Sequence, residues 1–507
     1  MFESLESLEM IRTTTFMVCS LALLAIYVLT VIHILINKHE EPASAMLWIL
    51  VVLDFPFIGI MIYLLFGINR LKTTGLSVQL SNEIVNAEKK GILFNGMGNY
   101  FRNQIQHIAK YPDYQRNTFN YNRTLDRLLP ETLPMKGNSL ELLHDGTMAY
   151  PRMLKAIESA QHNIHLQSFI IMNDEIGKAI FDALARKASN GVKVKVLYDR
   201  FGSSHAILSH FFRKYSGKIP NLQIKSFMRI NLFTPWRIQL RNHRKLLVVD
   251  GKTAFIGGIN ISSNNISGSD STKYKYIHDL HCCMEGSAVG ELQFSFLRDW
   301  CFATNFPPSK IFTEENFPPL DSALGDGTVR IIDTGPGQNP EGSQKVFFTA
   351  ATTSQKYIWI MTPYFVPDKP FISALCMAAA RGVDVKLIVP KNNNHWYVDF
   401  ACKSLYEKLL SDGIRIFEKM GSFSHVKAMI VDGEWTVMGS SNCDVRSFRL
   451  NFELDFVAYG GQFISDVREQ FLKELYDSCE ITTSDMKNKK FSRELAENIC
   501  SLLTPVL

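Results

Sequence analysis

Two stretches of this 507-residue chain carry the same sparse set of reactive side chains. The first, NHRKLLVVDGKTAFIGGINI, supplies His243, Lys245 and Asp250, then Gly257, Gly258 and Asn260. The second, SHVKAMIVDGEWTVMGSSNC, supplies His425, Lys427 and Asp432, then Gly439, Ser440 and Asn442 at identical spacing. One imidazole can attack phosphorus while another hands a proton to the departing alcohol. Two ammonium groups and two amides suit a phosphoryl group gathering negative charge in its transition state. The set therefore points to a two-step exchange at phosphorus through a covalent phosphohistidine. No cluster of carboxylates suited to a hard cation accompanies it and the lysines supply the charge, so neither a metal nor a cofactor is expected.

An imidazole in either role needs an acid to fix its tautomer. The candidates are Asp279 in YIHDLH, 36 residues after His243, and Glu453 in NFELDF, 28 residues after His425. Asp250 and Asp432 are counted with the catalytic set because they complete the motif. Strand rise nevertheless puts them roughly 15–17 Å from the histidines. Their expected work is to hydrogen-bond the turns before GGIN and GSSN. Asn260, Asn442, Gly258 and Ser440 are expected around the substrate phosphate.

The elements that must position these residues are legible in outline. Leu246–Val249 reads as a buried strand whose upstream end sets His243 and Lys245 two apart on one face. ALARKASNGVKVKVLYD is a helix stopping at Gly191 and then a Val-rich strand, and ALCMAAARGVDVKLIVP repeats it with Gly382, 191 residues on. The two histidines are only 182 apart, so the first copy holds an insertion of nine residues, placed at MRINLFTPWRIQLRN. Its Leu232, Phe233 and Trp236, interleaved with Arg229, Arg237 and Arg241, suit either a surface dipping into lipid headgroups or a wedge between lobes. Strands alternating with helices give an α/β fold. Two pseudo-symmetric lobes, 135–325 and 326–507, are expected to share one active site, reached through a connector at 73–134.

Residues 1–72 read as a two-helix transmembrane anchor. Thr13 to Ile36 is free of Asp, Glu, Lys and Arg, and at about 1.5 Å per residue it spans roughly 36 Å. Met46 to Gly67 is the second span, interrupted by Asp54 beside Pro56, where the carboxylate is expected to hydrogen-bond at a loosened turn. The acidic leader MFESLESLEMIR argues against a cleaved signal. Arg70 and Lys72 after the second span put the catalytic part in the cytoplasm, on a multi-pass protein of the cell membrane. A net charge of +5 suits an anionic bilayer surface and falls short of a dedicated nucleic-acid binder. Nine scattered cysteines without a CxxC pair make neither a disulfide framework nor a zinc site.

The doubled HxKxxxxD motif with its Gly-rich Asn turn resembles the phospholipase D superfamily. FPFIGIMIYLLFG, ELQFSFLRDW, TPYFVPD, RGVDVKLIVP, GSSNCDVRSFRLNFE and the terminal SLLTPVL extend the resemblance to bacterial cardiolipin synthases over nearly the whole chain, residues 73–134 least. It implies a membrane enzyme that joins two phosphatidylglycerol molecules into cardiolipin and releases glycerol. It also implies His243 as nucleophile and His425 as general acid and then base, with Arg446 and Ser447 nearby. Three positions depart from the family pattern: His278 where an arginine is common, Asn in VPKNNNHW where an acid is usual, and Ser424 before His425. The alternative is a membrane phospholipase D or another phosphatidyltransferase, such as a phosphatidylserine synthase, since these use the same motif. A nuclease fits the mild charge and apolar anchor poorly, and a non-catalytic scaffold would not keep both motifs intact.

Overall fold

The computed structural model describes residues 2–38, 42–64, 120–228, 239–267, 276–318, 323–487, 489–502 and 504. Most of the expected connector, and positions 229–238 of the expected insertion, lie outside them. The chain divides into two compact units, Met1–Thr73 and Thr74–Leu507.

In the first unit, α1 (Phe2–Asn37) contains Thr14–Asn37, the one stretch among the described residues that is long and apolar enough to cross a membrane. The second expected span is not one helix. It breaks into α2 (Pro42–Asp54) and α3 (Pro56–Ile62), because Pro56 has no N–H to continue the ladder and restarts a helix instead. Thirteen residues of α2 reach only about 20 Å. The Asp54 carboxylate ends α2 with no hydrogen-bond partner among the described residues, unlike the role expected for it. Gly59 allows the two pieces to fold closely, since a Cβ there would lie 2.2 Å from the Val51 carbonyl oxygen. The Tyr63 hydroxyl then meets His33 Nδ1 on α1 at 2.8 Å.

In the second unit, the first half contributes β1 (Met135–His144), β2 (Asn163–Ser168), β3 (Lys193–Tyr198), β4 (Leu222–Ser226), β5 (Leu246–Val249), β6 (Thr253–Gly257), β7 (Ile277–His278) and β8 (Leu280–Glu285). The second half contributes β9 (Gly327–Thr334), β10 (Tyr357–Met361), β11 (Phe365–Val366), β12 (Asp384–Pro390), β13 (Arg415–Lys419), β14 (Phe423–Ser424), β15 (Ala428–Val431), β16 (Trp435–Gly439), β17 (Cys443–Asp444), β18 (Glu453–Tyr459) and β19 (Ser478–Ile481). Fifteen of these make one continuous sheet in the order β19-β13-β12-β10-β15-β16-β18-β9-β1-β8-β6-β5-β2-β3-β4. Outward from the β9–β1 junction the halves repeat each other, β1-β8-β6-β5-β2-β3-β4 against β9-β18-β16-β15-β10-β12-β13, with β19 added at one edge. The duplication is therefore fused through antiparallel β1–β9 pairing, Met135 opposite Val329.

Both motif strands, Leu246–Val249 and Ala428–Val431, are buried throughout, which is why they read as unbroken apolar runs. The helix Ala288–Thr304, which contains ELQFSFLRDW, is buried on nearly every side, so it serves as a central pillar of the core. Removing the Phe296 ring from it would cost about 3–5 kcal/mol. After each motif strand the chain reverses on an Asp-Gly pair, Asp250–Gly251 (φ 51° and 63°) and Asp432–Gly433 (φ 55° and 72°). The Lys252 N–H donates to the Val249 carbonyl and the Glu434 N–H to the Val431 carbonyl, both at 3.0 Å. These are tight hairpin turns with two consecutive left-handed residues. The resulting register sets Leu246 opposite Ile256 and brings the segment 257–260 back to the level of Lys245 and His243.

Candidate active site

Each catalytic-motif histidine is clamped to the opposite lobe by its own backbone. The His243 N–H donates to the Phe452 carbonyl at 2.9 Å, while the Phe452 N–H donates to the Arg241 carbonyl at 2.8 Å. The His425 N–H donates to the His278 carbonyl at 2.7 Å, continuing the β7–β14 pairing. Those partner segments lead directly into the two acids. His243 Nδ1 accordingly lies 2.9 Å from Glu453 Oε2, and His425 Nδ1 lies 2.7 Å from Asp279 Oδ2. The acid nearest in sequence to each histidine thus serves the histidine of the other lobe. A carboxylate and a carbonyl accept only, so Glu453 and the Ser440 carbonyl make Nδ1 the protonated nitrogen of His243. Asp279 favours the same tautomer in His425, whose ring also has Lys427 Nζ 2.8 Å from Nδ1 and 3.3 Å from Nε2.

Both rings line a single cavity of about 450 Å³, together with Asn260 and Asn442. The Asn260 Oδ1 accepts the Ile170 N–H at 3.0 Å, which leaves its NH₂ group for a ligand. Asn442 Oδ1 is buried without a hydrogen-bond partner among the described residues. Lys245 and Lys427 are buried beside the cavity's histidines and outside the set of residues that line it, and each Nζ donates to the carbonyl of the histidine two residues before it, at 2.5 Å. Lys427 Nζ is also 3.6 Å from Asp279 Oδ2.

Gly258 and Ser440, expected to bind the phosphate or support its site, stand behind the acids. A Cβ on Gly258 would lie 2.1 Å from Asp279 Oδ1, so this glycine makes room for the carboxylate. Ser440 donates its hydroxyl to Glu453 Oε2 at 2.5 Å, and Asn451 donates to Oε1 at 3.0 Å. Ser447, implied near the site, receives the Asn442 N–H at 3.2 Å.

Electrostatics separate the two pairs. Burial and then Lys427 push His425 down to about 3, and burial with Lys245 and Lys427 holds His243 well below its ordinary value. Burial opposes ionisation of Asp279, but Lys427 and His425 prevail and hold it at about 2. Glu453 goes the other way, raised by burial against the pull of Lys245. Burial lowers Lys245 to about 7 and lowers Lys427 as well.

Asp250 and Asp432 take no place in the cavity, and they do not bind the turns before GGIN and GSSN. The Asp250 carboxylate accepts the N–H groups of Gln161, His162 and Asn163 at 2.7, 2.8 and 2.9 Å, fixing the entry to β2. Asp432 accepts those of Gln355, Lys356 and Tyr357 at 2.9, 2.7 and 2.9 Å, fixing the entry to β10. Both are structural anchors, because their turns project them away from the histidine ends of the strands.

Several residues at the site lie outside the doubled motif. Tyr364, Asn394, His395 and Arg241 line the cavity. Arg244, between His243 and Lys245, faces the other way and is ion-paired to Asp299 and Asp333 in the core. A signal was available there, since Arg298 and Asp299 stand side by side in ELQFSFLRDW, on a helix buried on nearly every side. His278, where the resemblance implied an arginine, sits between two carboxylates. Its Nδ1 is 2.6 Å from Asp145 and its Nε2 2.8 Å from Glu474, and against burial these carboxylates lift it to about 10.

A duplicated lobe that gives one imidazole from each half to a common cavity, each held by an acid from the other half, places the protein in the phospholipase D superfamily. The family model described as "Cardiolipin synthase, PLD-like domain" matches residues 153–281 and 348–475, once in each half. A second, described as phospholipase D-nuclease N-terminal, matches residues 25–67. The cardiolipin synthase of Alkalihalophilus pseudofirmus is 34% identical over 487 residues, 95% of this chain and 93% of its own. That of Halalkalibacterium halodurans is 33% identical over 490 residues, covering 96% and 93%. The crystal structure of a phosphatidylserine synthase from Haemophilus influenzae shares the fold, with a TM-score of 0.58 at 15% identity over 76% of this chain and 100% of that one. The chain belongs to the cardiolipin synthase family and is a phosphatidyltransferase.

Proposed function

We propose that the enzyme converts two phosphatidylglycerol molecules into cardiolipin and glycerol through a phosphohistidine on His243. His243 Nε2 attacks the phosphorus of the first lipid, and the bond from phosphorus to the headgroup glycerol oxygen breaks. That oxygen takes a proton from His425 Nε2, and glycerol departs. The glycerol hydroxyl of a second phosphatidylglycerol then attacks the phosphorus, gives its proton back to His425 and breaks the phosphorus–nitrogen bond. Lys245, Lys427, Asn260 and Asn442 balance charge on the non-bridging oxygens. Gly258, Ser440, Asp279 and Glu453 hold the two rings.

The single observation that supports this reading is that both imidazoles border one cavity, each with Nδ1 fixed by an acid. Burial and the lysines hold both imidazoles neutral in the empty site, and the ionised Asp279 supports the assignment of roles. An Asp279 held ionised favours imidazolium on His425, the form a general acid needs, once an anionic phosphodiester offsets the lysines. His243, kept neutral, is ready as nucleophile.

Residues 1–72 would anchor the enzyme as a multi-pass membrane protein with the lobes, 135–325 and 326–507, on the cytoplasmic side. Both substrates then lie in the same bilayer, and no nucleic acid, metal or cofactor takes part. The test is purified enzyme in phosphatidylglycerol liposomes without added metal or nucleotide. Mass spectrometry should find cardiolipin and glycerol in equal amounts, whereas phosphatidic acid alone would mean a hydrolase.

A further inference from the structure

The reacting phosphate accounts for both histidines, both lysines and both asparagines, but the same cavity wall holds two further cations, Arg241 and Arg446. They come from opposite halves of the chain, as the histidines do. Arg241 lies two residues before His243, and its guanidinium stacks 4.2 Å over the Phe201 ring with no ion pair among the described residues. Arg446 reaches back to the segment leading into Arg241, donating from Nη2 to the Gln239 carbonyl at 2.7 Å.

The acids in this neighbourhood, Asp199 and the cavity-lining Asp444, accept backbone N–H groups and also stabilise the two guanidiniums. Asp199 accepts the N–H of Phe201, Gly202 and Asn242 at 2.8, 3.1 and 3.0 Å. Asp444 accepts the Ser447 N–H at 2.6 Å and caps the helix Val445–Arg449. Burial lowers both guanidinium groups, opposed by Asp199 at Arg241 and by Asp444, Asp199 and Glu453 at Arg446, while Arg446 adds to the lowering of Arg241. Two like charges gathered at one wall suit a bound anion, and guanidinium forks match phosphate oxygens in shape.

Transfer to a lipid acceptor brings a second phosphate into the site. The acceptor phosphatidylglycerol has its own phosphodiester, one glycerol away from the hydroxyl that attacks. Transfer to water or to free glycerol brings none. We propose that Arg241 and Arg446 bind this unreacting phosphodiester and so select a phospholipid as acceptor over water or a neutral polyol. This inference rests on the two-histidine phosphatidyl transfer proposed above and adds the identity of the acceptor subsite.

The test compares two reactions of the full-length enzyme on phosphatidylglycerol vesicles. One is cardiolipin formation; the other is incorporation of labelled glycerol into phosphatidylglycerol, which needs the histidines and only one phosphate. Arg241→Gln and Arg446→Gln should lower kcat/KM for cardiolipin formation by about 10- to 100-fold, the scale of a lost charge-assisted bidentate contact. Glycerol exchange should fall by far less, and the product ratio should move toward phosphatidic acid. Arg241→Lys and Arg446→Lys should recover part of the cardiolipin activity. Soluble glycerophosphoglycerol should outcompete glycerol as acceptor for the parent enzyme and lose that advantage in both glutamine variants. A parallel fall of both reactions, or unchanged cardiolipin formation, overturns the inference. A parent enzyme that makes only phosphatidic acid overturns the underlying transferase reading first, and that failure is visible before any variant is made.

Discussion

The imidazole of His243 takes its orienting carboxylate from Glu453, 210 residues further along the chain and in the other half of the sheet, at 2.9 Å. The reverse crossing joins His425 to Asp279 at 2.7 Å. Each half therefore takes the carboxylate for its histidine from the other, across a sheet made continuous by the β1–β9 junction.

Glu453→Gln should leave the fold in place and lower kcat by about 10²- to 10⁴-fold. An amide can offer N–H where the ring needs an acceptor, which selects the wrong tautomer. Asp279→Asn should act in the same direction. Steady-state kinetics beside a circular dichroism spectrum check both, and near-normal turnover in either variant would mean the acids do not set the tautomers.

His425→Ala should abolish cardiolipin formation from phosphatidylglycerol yet still release p-nitrophenol from a phosphatidyl p-nitrophenol donor. That leaving group departs without a proton, so the general acid becomes dispensable while the nucleophile does not. His243→Ala should release none. The opposite pattern would exchange the two roles.

Lys245, lowered to about 7 by burial, sets an alkaline limb. Rising pH removes its charge in the empty site, so kcat/KM should decline as pH passes through about 7. Bound phosphodiester stabilises the ammonium, so the corresponding limb of kcat should lie at higher pH. A kcat/KM profile flat to pH 10 would contradict this.

Asp250→Ala should cost about 1–3 kcal/mol of stability. It removes a carboxylate from three backbone N–H groups and puts alanine at a φ of 51°. Chemical denaturation reads the loss, and kcat per folded molecule should stay within a few-fold of the parent. A specific collapse of kcat without destabilisation would return Asp250 to the catalytic set.

The local period of the chain made the motif strands readable. Leu246–Val249 and Ala428–Val431 are short, apolar and repeated, and the two-residue strand period sets each His and Lys together. The crossing of Asp279 and Glu453 was not readable, because a symmetric motif does not say which copy faces which. The Asp-Gly pairs at 250 and 432 close hairpins, and their carboxylates reach segments 161–163 and 355–357, which only the sheet order brings near. Pro56 warned of a break in the second apolar segment, and the break is real. Arg241, Tyr364 and His395 lie outside the doubled motif, in the segments MRINLFTPWRIQLRN, TPYFVPD and VPKNNNHW; the fold collects them at one cavity, and spacing alone could not.

The most direct measurement follows labelled phosphorus. Enzyme quenched in alkali during turnover of phosphatidylglycerol carrying ³²P should hold label on the peptide containing His243, and that label should be lost in acid. Label on the His425 peptide alone, or turnover to cardiolipin with no labelled protein at any time, would contradict the account.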